Sequence, residues 1–263
     1  MINKIKRITS SRNEKVKLWR SLQTRKGRRV HGSLLIEGEH LLQEAISAGW
    51  PIKALLIDEQ KKEVFLQQLP TLPNRLPIYL LPSALFADLM DTVTPQGIAA
   101  EVEILDYPPL NLPTGPLLLL DAIQDPGNLG TILRTAEAAG VQGVYLGRGT
   151  VDPFNSKTVR SAMGSLFRLS LYQVELKKVI PQLKKQGILV VGTAPRTEKL
   201  YFHLAYSSRI AFLLGNEGRG VDPQLREMVD EEVKIPMAGQ VESLSVVTAA
   251  GILLFEWVRQ SHQ

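Results

Sequence analysis

The feature that most constrains the fold is a series of apolar runs in the second half of the chain, each followed by a polar segment. Residues 117–120 are four consecutive leucines, and further apolar runs begin near residues 143, 171, 188, 210 and 232. Continuous runs of this kind are typical of strands buried on both faces of a parallel sheet. Helical segments separate the runs, so the pattern predicts an α/β fold with a ligand site at the carboxyl ends of its strands.

The first part of the chain shows the same alternation in a separate block. Four strand segments, with helical segments between them, occupy residues 33–105. The stretch 106–116, DYPPLNLPTGP, is rich in proline and has no hydrophobic periodicity, which is typical of a linker. We therefore expect an N-terminal domain over residues 1–105, a linker over 106–116 and a C-terminal domain over 117–263.

Composition excludes several kinds of site. The chain has no cysteine, which rules out disulfides, thiolate zinc sites, iron–sulfur clusters and a cysteine nucleophile. Its four histidines are scattered without metal-ligand spacing, so we expect no metal. No apolar run approaches the roughly 18 residues of a membrane span, and the first residues lack the apolar segment of a secretory signal. We expect a cytoplasmic protein without membrane contact.

The first 30 residues carry a strong excess of positive charge. They contain 11 lysine or arginine residues and one acid, whereas the rest of the chain carries 20 basic and 25 acidic groups. Such a block indicates a contact surface for a polyanion such as nucleic acid, with a solvated basic tail as the alternative. The spacing of Val16, Leu18, Trp19 and Leu22 predicts a helix that buries them. The basic residues expected to contact the nucleic acid are Lys15, Arg20, Arg25, Lys26, Arg28 and Arg29.

The first polar loop of the C-terminal domain is DPGNLG, residues 125–130, which opens a helix containing Arg134. Gly127 and Gly130 permit tight turns, Asn128 can donate and accept hydrogen bonds, and a helix N-terminus favours an anion. A nicotinamide-dependent dehydrogenase is the alternative. The loop has two glycines where the dinucleotide fingerprint G-x-G-x-x-G needs three, which counts against a dehydrogenase.

Two further loops follow apolar runs at the same predicted edge of the sheet. Residues 192–196 are GTAPR, and residues 215–220 are GNEGRG, in which Glu217 and Arg219 lie among three glycines. Glycine at such positions brings backbone amides close to a ligand. A capped turn in which Glu217 pairs with Arg219 is the structural alternative.

The last segment, residues 235–258, begins as a polar loop and continues as a helix of small and apolar residues. Ser243 or Ser245 is the expected N-cap, because a serine hydroxyl can accept a hydrogen bond from a free amide of the first turn. A helix of this composition is more often part of a core than of a site. It can also form the face of a dimer.

Three motifs in this order resemble a known family. They are N-x-G-x-x-x-R-T-A at residues 128–136, G-N-E-G at 215–218 and I-P-M-x-G-x-x-E-S-L at 235–244. Together they resemble the signature motifs of the SpoU (TrmH) branch of the SPOUT RNA methyltransferases. Residues 8–29 and 34–45 are similar to the small N-terminal substrate-binding domain of the rRNA-modifying members.

The resemblance implies an α/β SPOUT domain with a parallel sheet and a deep trefoil knot, preceded by a small α/β domain. It implies that S-adenosylmethionine binds in the knot and that the protein is a homodimer. The residues at the family's cofactor-binding positions are Thr193, Ala194, Gly215, Asn216, Gly218, Ile235, Met237, Leu244 and Ser245. The residues at its catalytic positions are Asn128, Arg134, Glu217 and Ser243.

Two details of the resemblance concern individual residues. After E-S-L the family pattern has asparagine, whereas this chain has Ser245, which still offers a hydroxyl donor and acceptor. The segment 155–171 matches the family well, and the match implies that Arg160, Ser161 and Ser165 contact RNA phosphate.

The resemblance assigns the role of base to Arg134. A guanidinium with a pKa above about 12 is a poor base, so we favour the hypothesis that Arg134 holds the adjoining phosphate and stabilises the developing alkoxide. Methyl transfer from a sulfonium to a ribose hydroxyl is an in-line displacement, for which positioning and electrostatics should dominate.

The resemblance implies an enzyme that methylates a ribose 2′-hydroxyl of RNA. The additional N-terminal domain favours ribosomal RNA, the 23S molecule above all, as the target. The alternatives are a tRNA 2′-O-methyltransferase and a catalytically weak RNA-binding or ribosome-assembly protein of the same fold. Ser245 favours the weak binder, whereas the complete set of catalytic residues favours the enzyme.

Overall fold

The computed structural model of the chain describes residues 5–68, 76–106, 115–194 and 197–262. The chain divides into two compact units, of which the first comprises Met1–Asp106 and Phe154–Phe167 and the second comprises Tyr107–Pro153 and Arg168–Gln263. Residues 154–167, which we expected in the C-terminal domain, thus belong to the first unit. Most of the expected linker, residues 107–114, lies outside the described residues.

Strands and helices alternate along both halves of the chain. Up to residue 103 they are β1 (Ile5–Arg7), α1 (Glu14–Ser21), α2 (Arg25–His31), β2 (Ser33–Glu37), α3 (Glu39–Ser47), β3 (Ile52–Asp58), α4 (Lys62–Gln68), β4 (Ile78–Leu81), α5 (Ser83–Leu89) and β5 (Ile98–Glu103). From residue 117 they are β6 (Leu117–Leu120), α6 (Pro126–Ala138), β7 (Gly143–Leu146), α7 (Ser156–Ala162), β8 (Ser170–Gln173), α8 (Leu176–Lys185), β9 (Leu189–Thr193), β10 (Ile210–Leu214), α9 (Pro223–Arg226), β11 (Glu231–Val233) and α10 (Val246–Ser261). Short 3-10 helices occur at Glu59–Lys61, Ser165–Phe167 and Tyr201–His203.

The first unit contains a five-stranded sheet in the order β1-β4-β3-β5-β2. Strands β1, β4 and β3 are parallel, whereas β5 is antiparallel to both of its neighbours. The helices on one face bury Trp19 together with Leu56 and Phe86. The indole Nε1 of Trp19 donates a hydrogen bond to Glu101 at 2.9 Å, so the prediction that Trp19 is a core residue is confirmed.

The basic N-terminal segment forms two short helices rather than one. α1 ends at Ser21, and Thr24 begins α2 by accepting a hydrogen bond from the amide of Gly27 at 3.0 Å. The two helices approach so closely that a Cβ on Gly27 would lie 2.0 Å from the carbonyl oxygen of Ser21. The break redirects the side chains of α2, which the single-helix prediction did not anticipate.

The second unit contains a six-stranded parallel sheet in the order β11-β9-β10-β6-β7-β8. All six strands were predicted, because β6 and β10 at its centre are buried along their whole length and appear as continuous apolar runs. The chain proceeds outward from β6 to β8 and then returns to β9 on the other side of β6. The strand order therefore reverses at β6 and β10, where parallel sheets bind ligands at the carboxyl ends of their strands.

The last helix, α10, packs against α6 and β10 in this unit. Its buried face includes Ala250, Leu253 and Leu254, while Phe255 is about half exposed. None of the described helices combines the length and apolar character that a bilayer crossing requires.

Candidate active site

A cavity of about 650 Å³ lies in the second unit, lined by the segments that follow β9, β10 and β11 and by the start of α10. Its size is within the range of small-molecule sites. Eight of the nine residues expected to bind the cofactor line it, namely Thr193, Ala194, Gly215, Asn216, Gly218, Ile235, Met237 and Leu244. The parallel sheet brings these distant segments together, because the carboxyl ends of its strands lie at one edge.

Ser245, the ninth expected residue, is absent from the lining of this cavity. Its hydroxyl accepts a hydrogen bond from the amide of Thr248 at 3.2 Å and is also hydrogen-bonded to the Thr248 hydroxyl at 2.9 Å. Ser245 is therefore the N-cap of α10, and its contact with the cofactor stays a prediction. Ser243, the other serine considered as a cap, is exposed and lines the cavity.

Glu217 joins the loop after β10 to the beginning of α6. Its carboxylate accepts hydrogen bonds from the backbone amides of Gln124 at 3.3 Å and Asp125 at 3.2 Å, and from the side-chain amide of Asn128 at 3.2 Å. Asn128 does not line the cavity itself, but this bond ties it to the cavity wall. Two residues of the expected catalytic set, 89 positions apart, are thereby in direct contact.

The pKa of Glu217 is lowered from its ordinary value of 4.5. Partial burial raises it, but the hydrogen bonds from the backbone and from Asn128 together favour the ionised form more strongly. Glu217 is therefore a carboxylate at neutral pH. Its arrangement suits an anion that holds the α6 loop in place better than a base that accepts a proton.

We expect Glu217→Gln to lower the free energy of unfolding at neutral pH, because the amide cannot replace an ionised acceptor. A carboxylate with a lowered pKa stabilises the fold above its unfolded pKa and loses that effect as the pH falls through the folded value. The difference between wild type and variant should therefore be constant from pH 8 to about 5.5 and shrink below about 4.5. Urea unfolding at a series of pH values measures it.

Glu198→Gln is the matched control, because the side chain of Glu198 is exposed and makes no hydrogen bond with the residues that the structure describes. It should leave the unfolding free energy unchanged across the same pH range. A Glu217→Gln difference that persists undiminished at pH 3 would show that the carboxylate's charge is not what holds the loop.

Arg134 lies on α6, exposed to solvent. Its side chain forms no hydrogen bond or ion pair within the part of the chain that the structure describes. The guanidinium is therefore available to an external anion. Of the expected catalytic set, Glu217 and Ser243 line the cavity, while Asn128 and Arg134 lie on the helix that Glu217 holds.

The expected RNA contacts on α1 and α2 divide into two groups. Lys15, Arg25, Lys26 and Arg29 are exposed. Arg20 is half-buried and forms an ion pair with Asp88. The exposed group retains the predicted role, and Arg20 has a competing partner within its own unit.

Arg28 corrects the prediction, because it is 5% exposed. Its guanidinium donates to the carbonyl oxygens of Leu22 at 2.7 Å and Gln23 at 3.1 Å, which follow the end of α1. These carbonyls lack partners within the helix, and the arginine supplies the missing donors. Arg28 therefore holds α1 to α2 and is not placed to contact RNA.

Ser165 corrects a second prediction, because it is 3% exposed and lies in the short helix Ser165–Phe167. It cannot reach a phosphate from this position. Ser161 and Arg160 are half-buried on α7, and a guanidinium nitrogen of Arg160 lies 3.6 Å from the carboxylate of Asp91. The whole α7 segment packs within the first unit.

Several charged residues that line the cavity were not predicted as site residues, among them Arg219, Arg226 and Glu242. Arg226 forms a two-bond ion pair with Glu232, at 2.7 and 2.9 Å. It belongs to the four-residue helix α9, which is too short to leave a periodic signal. The side chain of Arg219 makes no ion pair with Glu217 in the described structure, so the alternative of a simple paired turn is wrong.

Comparison with known families identifies both parts of the chain. Residues 115–255 match the SpoU rRNA Methylase family, and residues 13–100 match the MRM3-like substrate binding domain. The chain belongs to the SpoU rRNA methylase family. The resemblance drawn from the three motifs is confirmed, and so is the α/β fold class.

The chain is similar to individual proteins over nearly its whole length. It is 41% identical over 253 residues to the 23S rRNA (guanosine(2553)-2′-O)-methyltransferase RlmP of Bacillus subtilis (strain 168), covering 95% of this chain and 98% of that protein. The crystal structure of the AdoMet-bound rRNA methyltransferase from Sinorhizobium meliloti has 32% identity and a TM-score of 0.85, covering 97% of this chain and 98% of that one. A TrmH/SpoU tRNA modifying enzyme from A. aeolicus has 26% identity and a TM-score of 0.51, covering 57% of this chain and 76% of that one.

Proposed function

We propose that this protein transfers a methyl group from S-adenosylmethionine to a ribose 2′-hydroxyl of RNA, with 23S ribosomal RNA as the target. The observation that carries the proposal is one cavity at the reversal point of the sheet, lined by the signature residues of separate motifs. Its wall is hydrogen-bonded through Glu217 to the helix that carries Asn128 and Arg134. Family membership supports methyl transfer as the reaction, and the cavity is the proposed binding site of the methyl donor.

The residues present fit the cofactor. The cavity combines apolar side chains, such as Leu244 and Ile235, with backbone groups around Gly215 and Gly218, as a site for an adenosine with a charged tail requires. Thr193, Ala194 and Met237 would complete its walls. When bound, S-adenosylmethionine supplies a methyl group on a positively charged sulfur.

The chain's own residues contribute positioning and charge. The exposed guanidinium of Arg134 binds a phosphate of the RNA and stabilises the negative charge that develops on the ribose oxygen. Glu217 holds α6 and Asn128 in place as an ionised acceptor, and Ser243 offers a hydroxyl at the cavity wall. The new bond joins the ribose oxygen to the methyl carbon, the old carbon–sulfur bond breaks, and the ribose proton leaves to solvent.

Coverage favours ribosomal RNA over tRNA. The relatives named for rRNA extend over both units of this chain, whereas the tRNA modifying enzyme covers 57% of it. The match to a substrate-binding domain at residues 13–100 supports a role for the first unit in recognising a large RNA. The alternatives are a tRNA substrate and an RNA-binding protein without activity.

The test is incubation of the purified protein with methyl-labelled S-adenosylmethionine and unmodified ribosomal subunits, naked rRNA and tRNA. We expect label in 23S RNA, at a ribose whose 3′ phosphodiester bond resists alkaline cleavage. Label in tRNA alone would contradict the proposal that 23S ribosomal RNA is the substrate. No label in any substrate, with the cofactor bound in calorimetry, would leave a binding protein.

Three further properties belong to the proposal. Family membership and the insertion of β10 between β9 and β6 support the deep trefoil knot. The half-exposed Phe255 on the apolar helix α10 supports a homodimer, which the mass in solution tests. The named relatives that modify rRNA support a cytoplasmic location.

The exposed basic residues of α2 provide a test of the RNA footprint. Lys26 and Arg29 make no side-chain bond with the described residues, so Lys26→Gln with Arg29→Gln should leave the fold intact. Each phosphate contact to single-stranded RNA contributes about 0.7 to the slope of log K against log salt, so the slope should fall by about 1.4. Filter binding over a salt series measures this change.

The control is Lys178→Gln with Lys185→Gln, which removes the same charge from α8 in the other unit. It should change the slope by less than the α2 variant does. Equal slopes in the α2 variant and the wild type would exclude α2 from the footprint. Deleting the basic segment is a poorer test, because Trp19 belongs to the core.

A further inference from the structure

Ala122 has an unusual backbone conformation close to the cavity wall. Its φ is +56°, and in the described residues Met163 is the only other non-glycine residue with a positive φ. This left-handed region is unfavourable for alanine because the Cβ crowds the backbone. Ala122 lies in the segment between β6 and α6, so its conformation sets the direction in which the chain enters the helix of Asn128 and Arg134.

Asn216 is bonded to this strained turn. Its side-chain nitrogen donates to the carbonyl oxygen of Ala122 at 2.8 Å and to the carboxylate of Glu217 at 3.3 Å. Its side-chain oxygen accepts from the amides of Gly218 at 3.0 Å and Arg219 at 3.1 Å. An asparagine amide has two donor hydrogens and two acceptor lone pairs, and all four are in use.

The backbone of Asn216 is also committed. Its amide donates to the carbonyl oxygen of Gly220 at 2.9 Å, and its carbonyl accepts from the amide of Gly220 at 2.9 Å. Asn216 therefore lines the cavity with a side-chain amide whose donors and acceptors are all bonded to other parts of the protein. This differs from the cofactor-binding role that the family resemblance implied for it.

We propose that Asn216 is a positioning residue for methyl transfer, which holds Ala122 in its left-handed turn and so fixes the start of α6 against the loop 215–220. The proposal rests on the proposed methyl transfer activity. Asn216 secures one end of the connecting segment at Ala122, and Glu217 secures the other at Gln124, Asp125 and Asn128. Strained turns that are held by hydrogen bonds are typical of functional sites, where they fix the reacting groups before the substrate binds.

The first test compares Asn216→Ala and Asn216→Asp. Aspartate can still accept from the amides of Gly218 and Arg219, but it cannot donate to the carbonyl oxygen of Ala122. Both variants should lower kcat by about tenfold or more, because reacting groups are then misplaced. S-adenosylmethionine affinity, measured by calorimetry, should change by less than about threefold, because no polar contact to the cofactor is lost.

The second test is rescue at the other end of the bond. Glycine adopts a positive φ without strain, so Ala122→Gly should keep the turn even without its anchor. The double variant Asn216→Ala with Ala122→Gly should therefore recover at least about half of the kcat that Asn216→Ala loses on a logarithmic scale. Ala122→Gly alone should change kcat far less than Asn216→Ala does.

Hydrogen exchange of the cofactor-free protein gives a readout independent of activity. The amides of Gln124, Asp125 and Asn128 should exchange faster in Asn216→Ala and regain protection in the double variant. This experiment remains informative if the wild type shows no methyl transfer, a result that would count against the proposed function alone.

Gln260→Ala is the control variant. The side-chain amide of Gln260 also joins a loop to a helix, through bonds to Leu204 and Tyr206, but Gln260 lies outside the cavity lining.

The control should lower the unfolding midpoint while leaving protection at residues 124–128 unchanged. Two results would overturn the proposal. One is unchanged exchange at residues 124–128 in Asn216→Ala. The other is a loss of cofactor affinity that equals the loss of rate and is not restored by Ala122→Gly, which would make Asn216 a cofactor contact.

Discussion

Gly215→Ala is expected to abolish cofactor binding, with a loss of affinity of about a hundredfold or more. A Cβ on Gly215 would lie 2.2 Å from both the carbonyl carbon of Gly220 and the amide nitrogen of Val221. Both contacts are backbone atoms, so no side chain can move aside. The loop would have to open, and the paired bonds between Asn216 and Gly220 would break.

Calorimetry with S-adenosylmethionine measures the effect, and thermal unfolding separates a local opening from global loss of structure. Gly218→Ala is the comparison within the same loop, because its Cβ would approach only the Asn216 side-chain oxygen, at 3.7 Å. Its loss of affinity should stay below about tenfold. If Gly215→Ala binds the cofactor within threefold of wild type, the loop tolerates opening and the close approach is not required.

Arg134→Ala is expected to lower kcat/KM by about a hundredfold to a thousandfold, the range for removing one group that stabilises developing charge. Arg134 is exposed on α6, is bonded to none of the described residues, and does not line the cofactor cavity. The affinity for S-adenosylmethionine should therefore be unchanged. Arg134→Lys keeps the charge without the planar fork and should recover only part of the rate.

Steady-state and single-turnover kinetics on 23S RNA divide the effect between binding and chemistry. Arg168→Ala is the control. It removes an arginine that pairs with Glu137 at 2.9 Å, and Glu137 lies on α6, the helix that carries Arg134. A variant Arg134→Ala that loses RNA affinity but reaches the wild-type rate at saturation would limit Arg134 to substrate binding. Full turnover in Arg134→Lys would show that the fork geometry is unimportant.

The sequence predicted the second sheet well because its central strands are buried on both faces. Such strands appear as unbroken apolar runs, and the six predicted runs correspond to β6 to β11. The prediction missed β1, α7 and α9, which have three, seven and four residues. β1 is exposed along its whole length and α9 buries only Leu225, so neither has a hydrophobic period to recognise.

The errors at Arg28 and Ser165 have a different cause. Hydrophobic patterning places charges outward, but the break after Ser21 turned Arg28 toward carbonyls that needed donors. Ser165 is buried because residues 154–167 return to the first unit, which hydrophobic patterning does not reveal. The bonds of Asn216 and Glu217 were equally inaccessible, because residue types follow from a motif whereas partners some 90 positions away follow only from the fold.

The return of residues 154–167 to the first unit has a consequence for how this chain can be divided. Trp50 is 4% exposed because Phe154 and Phe167 cover its ring, and its indole nitrogen donates to the carbonyl oxygen of Phe167 at 2.9 Å. A fragment ending at the proline-rich stretch would expose this tryptophan, and the complementary fragment would carry a helix without its packing partner. The two units are thus interleaved in sequence, and a cut at the proline-rich stretch would leave both fragments incomplete.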